Sequence, residues 1–120
     1  GINWRLVELE SPCVRVFSKD GEWLKQARHA QYQIKSWRHY LGENLDTARK
    51  APSDEGLGLV DIEPGVRGII LISRRSLMGD NPIWMRRQLK LDSGIEMHTY
   101  DWLVDQVEHA SMGRRGRLQD

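Results

Sequence analysis

Apolar and polar positions follow two different periods along the chain. From Arg5 to Leu9 the period is two: Trp4, Leu6, Glu8 and Glu10 share one face of a strand, and Arg5, Val7 and Leu9 the other. Ser11-Pro12 limits it, because proline cannot donate to a ladder. Residues 13–17 either extend this strand or form a short edge strand. Ser18 to Gly21 is turn chemistry, with Asp20 as the expected N-cap of a helix. From Glu22 to about Leu45 the period becomes helical: Trp23, Ala27, Ala30, Ile34, Trp37 and Leu41 recur at alternating intervals of four and three. Gly42 marks the expected break or end of that helix.

Ala51 to Gly65, rich in glycine, proline and acids, reads as a loop in which Leu59 to Ile62 pairs at most weakly. Gly68 to Ser73 is a continuous apolar run of the kind found in a strand buried on both faces, and so the expected centre of a sheet. Asn81-Pro82 opens a second helix to about Leu91, and Ser93-Gly94 stops it. Ile95 to His98 is a short strand, and Thr99 caps a last helix from Tyr100 to about Ala110. Strands alternating with helices predict an α/β layer whose later strands are parallel.

Composition adds limits. The 120 residues suit one domain, placed at 1–110, with 111–120 as a flexible basic tail. With 18 basic and 17 acidic residues, the bulk charge demands neither nucleic acid nor a membrane surface, so any such partner is met locally. Cys13 is the single cysteine, which excludes an intrachain disulfide and a cysteine-based zinc site. No apolar stretch approaches a membrane span and no signal peptide opens the chain, so a soluble, cytoplasmic protein is expected. The start at Gly1-Ile2-Asn3, without methionine, reads as that of an excised fragment lacking a preceding strand.

Candidate chemistry begins with Glu8 and Glu10. Two acids on one strand face are unfavourable unless a cation lies between them, and a divalent metal is one such cation. Arbitrary acid pairs at a strand end more often simply reach solvent. Gln26, Gln33 and Tyr40 form a polar line beside the helical stripe, where the Gln33 amide can hold a phosphate oxygen or a metal-bound water, or just edge a core. Arg74 and Arg75 end the buried strand and could clamp a phosphate, although solvated charges are the default there. Arg86, Arg87 and Lys90, with Arg114, Arg115 and Arg117, could track a nucleic-acid backbone. His29, His39, His98 and His109 have no zinc-like spacing, which favours structural or surface roles. Cys13 lacks partners for a nucleophile, Tyr100-Asp101 most simply begins the last helix, and Asp61 and Glu63 are spare metal-ligand candidates.

Four ordered blocks carry a resemblance. Val7 to Pro12, Phe17 to Gly21, Ala30 to Leu41 and Gly94 to Leu103 together resemble the nuclease domain of Shedu-type anti-phage defence proteins, over about residues 4 to 105. That family belongs to the PD-(D/E)xK nuclease superfamily. The resemblance implies an α/β, restriction-endonuclease-like core, with a central mixed sheet flanked by helices and truncated at its N-terminus. It implies a Mg²⁺- or Mn²⁺-dependent DNA endonuclease with Glu8 as metal-binding acid, Gln33 as the helix glutamine and Trp37 as the aromatic four residues on. Glu10 stands where the family usually places lysine, and is expected to serve as a second metal ligand or general base. The family's other acid would precede Gly1. DNA would be met by Arg74, Arg75 and Lys35, and a homo-oligomer is expected. The alternatives are a catalytically inactive nuclease-fold module that binds nucleic acid, and an oligomerisation unit suggested by the apolar stripe and five tryptophans.

Overall fold

The computed structural model describes residues 2–79 and 83–119, with side chains described as far as Met112. Its order is β1 (Arg5–Leu9), α1 (Lys25–Glu43), α2 (Leu45–Arg49), a short 3₁₀ turn (Pro52–Asp54), β2 (Arg67–Leu71), α3 (Arg75–Met78), α4 (Ile83–Ser93), β3 (Ile95–His98) and α5 (Tyr100–Gln119). The strands form one sheet in the order β1-β2-β3. Both pairings are parallel, with Glu8 opposite Ile70 and Ile70 opposite Met97. Among the described residues the sheet is therefore wholly parallel rather than mixed.

The sheet's topology decides where its core lies. Both crossovers step in the same direction, and parallel crossovers keep one hand, so their helices fall on one face. Ala27, Ala30 and Ile34 of α1 and Leu89 of α4 accordingly share a core with Ile70, Ile72, Ile95 and Met97. Gly68 lets α1 come close, since a Cβ built there would meet Ile34 Cδ1 at 2.6 Å. On β1 the opposite face is open, with Val7 and Leu9 55% and 65% exposed.

Several expected boundaries move. The helix starts at Lys25, not Glu22, because residues 16–24 form a small antiparallel turn in which Phe17 bridges and stacks on Trp23 at 4.7 Å. Asp20 lies in that turn, and Leu24 is the N-cap, without a side-chain cap bond. The helix passes Gly42 before a break at Asn44 starts α2. Trp37 is exposed instead of completing the buried stripe. Arg38 goes inward instead, donating from Nε to Val66 O at 2.8 Å and from Nη1 to Ser93 O at 2.5 Å.

The loop after α2 forms no strand but folds back on that helix, with Leu57 N–H donating to Thr47 O and Leu59 N–H to Ala48 O. Gly94, at φ 63°, ends α4 with a bond to Lys90 O. The Asn81-Pro82 start of that helix lies outside the described residues. Thr99 caps α5 as expected, accepting from Trp102 N–H at 3.3 Å. The α5 backbone stays helical through Gln119, past the expected end at Ala110. Leu103, Val104 and Val107 along it are exposed. The side chains of Arg114, Arg115 and Arg117 lie outside the described residues.

Candidate active site on the first strand

Glu8 and Glu10 emerge on the helix-covered face of β1, because Glu8 is in register with Ile70, whose side chain belongs to the core beneath α1. Both are half-buried, and among the described residues neither forms an ion pair with arginine or lysine. Burial raises the Glu8 pKa above its ordinary value, and the neighbouring Glu10 raises it further; His29 of α1 partly offsets both.

His29 is one turn from Gln33, and the amide nitrogen of Gln33 lies 3.2 Å from His29 Nε2. The cluster thus runs from β1 onto the exposed side of α1. Gln33 itself opens on an apolar hollow of about 510 Å³ with Ser36, Trp37, Tyr40 and Leu57. Glu10 is held by its backbone: its N–H donates to Leu71 O at 2.9 Å, and its carbonyl accepts from the Tyr100 hydroxyl at 2.5 Å. The start of α5 therefore fixes the end of β1.

The donors fit a hard divalent cation in kind, since both are carboxylates. They fall short in number. Among the described residues no three histidine, cysteine, aspartate or glutamate side chains are arranged to hold one metal ion. A cation here would complete its shell with water and substrate oxygens, as Mg²⁺ commonly does. Asp61 and Glu63 lie elsewhere, and Glu63 pairs with Arg49 at 2.9 Å.

Of the three basic residues expected to meet DNA, Arg74 and Arg75 stand at one corner of the molecule, both on Asp101. Arg74 makes a two-pronged pair with Asp101, both contacts at 3.0 Å, and Arg75 pairs with Asp105 at 2.7 Å. Asp101 also accepts the Arg75 N–H, so Arg74 and that N–H hold its carboxyl far below the usual carboxylate range. Ser73, buried at φ 69°, turns the chain from β2 into this corner. Lys35 lies on another side of α1, in a hollow with Trp84, Gln88 and Asp92.

Sequence reasoning assigns His29 a structural or surface role and Tyr100 the start of the last helix, and places neither at this site. The four-residue step from His29 to Gln33 is the available signal for the first. For Tyr100 there is none, because its bond to Glu10 spans 90 positions.

Neither a family model, nor a curated protein, nor a solved structure matches the chain. No helix among the described residues is long and apolar enough to cross a membrane.

Proposed function

We propose that this chain is a metal-dependent DNA endonuclease domain of an anti-phage defence protein, with Glu8 and Glu10 as its acidic centre. The observation that carries the reading is the half-buried pair of carboxylates, without an arginine or lysine partner among the described residues, with His29 near enough to act on Glu8 electrostatically. Such a pair is electrostatically costly by itself and relieved by a cation. Mg²⁺ or Mn²⁺ bound at Glu8 and Glu10 would supply charge neutralisation at phosphate and an acidified water. His29 would act as proton donor or acceptor beside the acidic pair, its ring meeting the Gln33 amide. Tyr100 keeps Glu10 in place through its carbonyl. Arg74 and Arg75 would reach phosphate only by exchanging Asp101 and Asp105 for it.

The test is cleavage of plasmid DNA with Mg²⁺ or Mn²⁺ by the wild-type chain and by Glu8→Gln and Glu10→Gln. Each substitution is expected to reduce the rate by about 10²-fold or more. Cleavage undiminished in both would sink the proposal. A thermal melt of Glu8→Gln separates loss of chemistry from loss of fold. The folded state binds the Glu8 proton more tightly than the unfolded chain, so stability falls as pH rises from the ordinary value of 4.5 through the raised one. Removing that charge is expected to relieve the strain at pH 7, so the variant should melt no lower than wild type.

A second reading is self-association. The open β1 face at Val7 and Leu9, and the exposed apolar side chains of α5, favour it. Light scattering that gives the monomer mass across a hundredfold concentration range rejects it.

A further inference from the structure

At the other edge of the sheet, beside β3, lies a cleft of about 570 Å³ whose lining includes Phe17, Arg75, Met78, Arg86, His98 and Trp102. Its size is that of a small-molecule site. Arg75 is taken by Asp105, which leaves Arg86 as the available cation. Arg86 is half-buried, and among the described residues its one hydrogen bond is a long 3.5 Å contact to Met97 O and it pairs with no carboxylate. Burying a guanidinium without a counter-charge is unfavourable, and that burial lowers its pKa.

His98 has a related deficit. Its Nε2 is buried and, among the described residues, makes no hydrogen bond, standing 3.6 Å from Glu96 Oε1, with which it forms an ion pair only when protonated. Its ring stacks face to face on the Trp102 indole at 3.8 Å, which fixes both rings in the wall of the cleft. Phe17 and Met78 contribute apolar wall.

The charge count on the adjoining rim narrows the ligand. Among the described residues of that rim, Arg86, Arg87 and Lys90 stand against Glu96 alone, three cations to one carboxylate, and Lys90 already pairs with Glu96 at 3.4 Å. The excess of two positive charges matches a phosphate monoester, which approaches a dianion at neutral pH, better than a carboxylate. A guanidinium fork binds two phosphate oxygens at once, and a third oxygen can accept from His98 when Nε2 carries its hydrogen.

We infer that this cleft binds a phosphate monoester carrying a flat ring system, of nucleoside monophosphate size, with the phosphate on Arg86 and His98 and the ring against the apolar and aromatic wall. The inference does not rest on the nuclease reading, since no residue of the Glu8 cluster lines the cleft.

The experiment is titration calorimetry of the intact chain with AMP, inorganic phosphate and adenosine. AMP is expected to bind more tightly than either fragment. Arg86→Gln should weaken AMP by about tenfold or more, while Arg86→Lys, which keeps the charge, should lose less. Glu8→Gln should leave AMP binding unchanged, which separates this site from the acidic one. Arg86→Gln removes an uncompensated charge, and an unaltered circular-dichroism melt confirms that it folds. No AMP binding, equal AMP affinity in wild type and Arg86→Gln, or AMP binding no tighter than inorganic phosphate would each overturn the inference.

Discussion

Replacing Gly68 by alanine tests how closely α1 must approach the sheet for the acidic site to form. The added Cβ would lie 2.6 Å from Cδ1 and 2.8 Å from Cγ2 of Ile34, both inside ordinary contact distance. Ile34 is 1% exposed and belongs to the core with Ile70 and Ile95, so it has nowhere to retreat. Overpacking of this kind costs about 1–3 kcal/mol. For a chain of 120 residues unfolding entropy makes 1 kcal/mol worth about 4 °C, so Gly68→Ala should lower the Tm by about 4–12 °C. The cheaper response is for α1 to lift, which carries His29 and Gln33 away from Glu8 and should slow cleavage as well. Ile34→Ala alone should cost about 2–5 kcal/mol by leaving a cavity. In the double variant the alanine methyl has space, so the sum of the single effects should exceed the measured one by about 1–3 kcal/mol. Thermal melts of the four proteins measure this coupling. Strictly additive effects, or a Gly68→Ala melt equal to wild type, would refute the close approach of α1 to β2.

Two other outcomes are expected from contacts around the sheet. Arg38→Met deprives the Val66 and Ser93 carbonyls of a charged donor and should cost about 1.5–3 kcal/mol in chemical denaturation, with Arg38→Lys recovering only part because lysine lacks the planar fork. Asp101, whose pKa is depressed by Arg74 and the Arg75 N–H, contributes stability that is present above its unfolded value of 3.8 and lost as pH falls below it. Asp101→Asn should therefore flatten the acid limb of the stability profile, and equal acid sensitivity of the two proteins would contradict that.

What is legible in the sequence is mainly local. Val7 and Glu8 alternate, the run Ile69-Ile70-Leu71-Ile72 is unbroken, and Thr99 and Gly94 carry cap chemistry, so three strands and their helices can be placed from neighbours alone. The start of α1 is not legible, because Phe17 reaches Trp23 through an antiparallel bridge, a contact that periodicity does not report. The exposure of Trp37 escapes for a related reason: spacing cannot distinguish an exposed aromatic from a buried one when Arg38, one position on, has three carbonyls to satisfy. At the candidate site the two glutamates are evident as a pair. Their surroundings are not, because Tyr100, His29 and the Asp101 corner meet them or the neighbouring arginines only through tertiary contact.

Because both crossovers run the same way, the sheet has one thick side and β1 is an edge strand, paired along its length with β2 only and held at its end by Tyr100. Protection against hydrogen exchange should then be graded across the sheet, highest in β2 and lowest in β1. Glu8 and Glu10 travel on the strand that opens first, while His29 and Gln33 stay with the helix. Each local opening takes the acidic pair apart from its partners without unfolding the rest, so the time for which the cluster is assembled is set by how firmly Tyr100 and Leu71 hold the end of a single short strand.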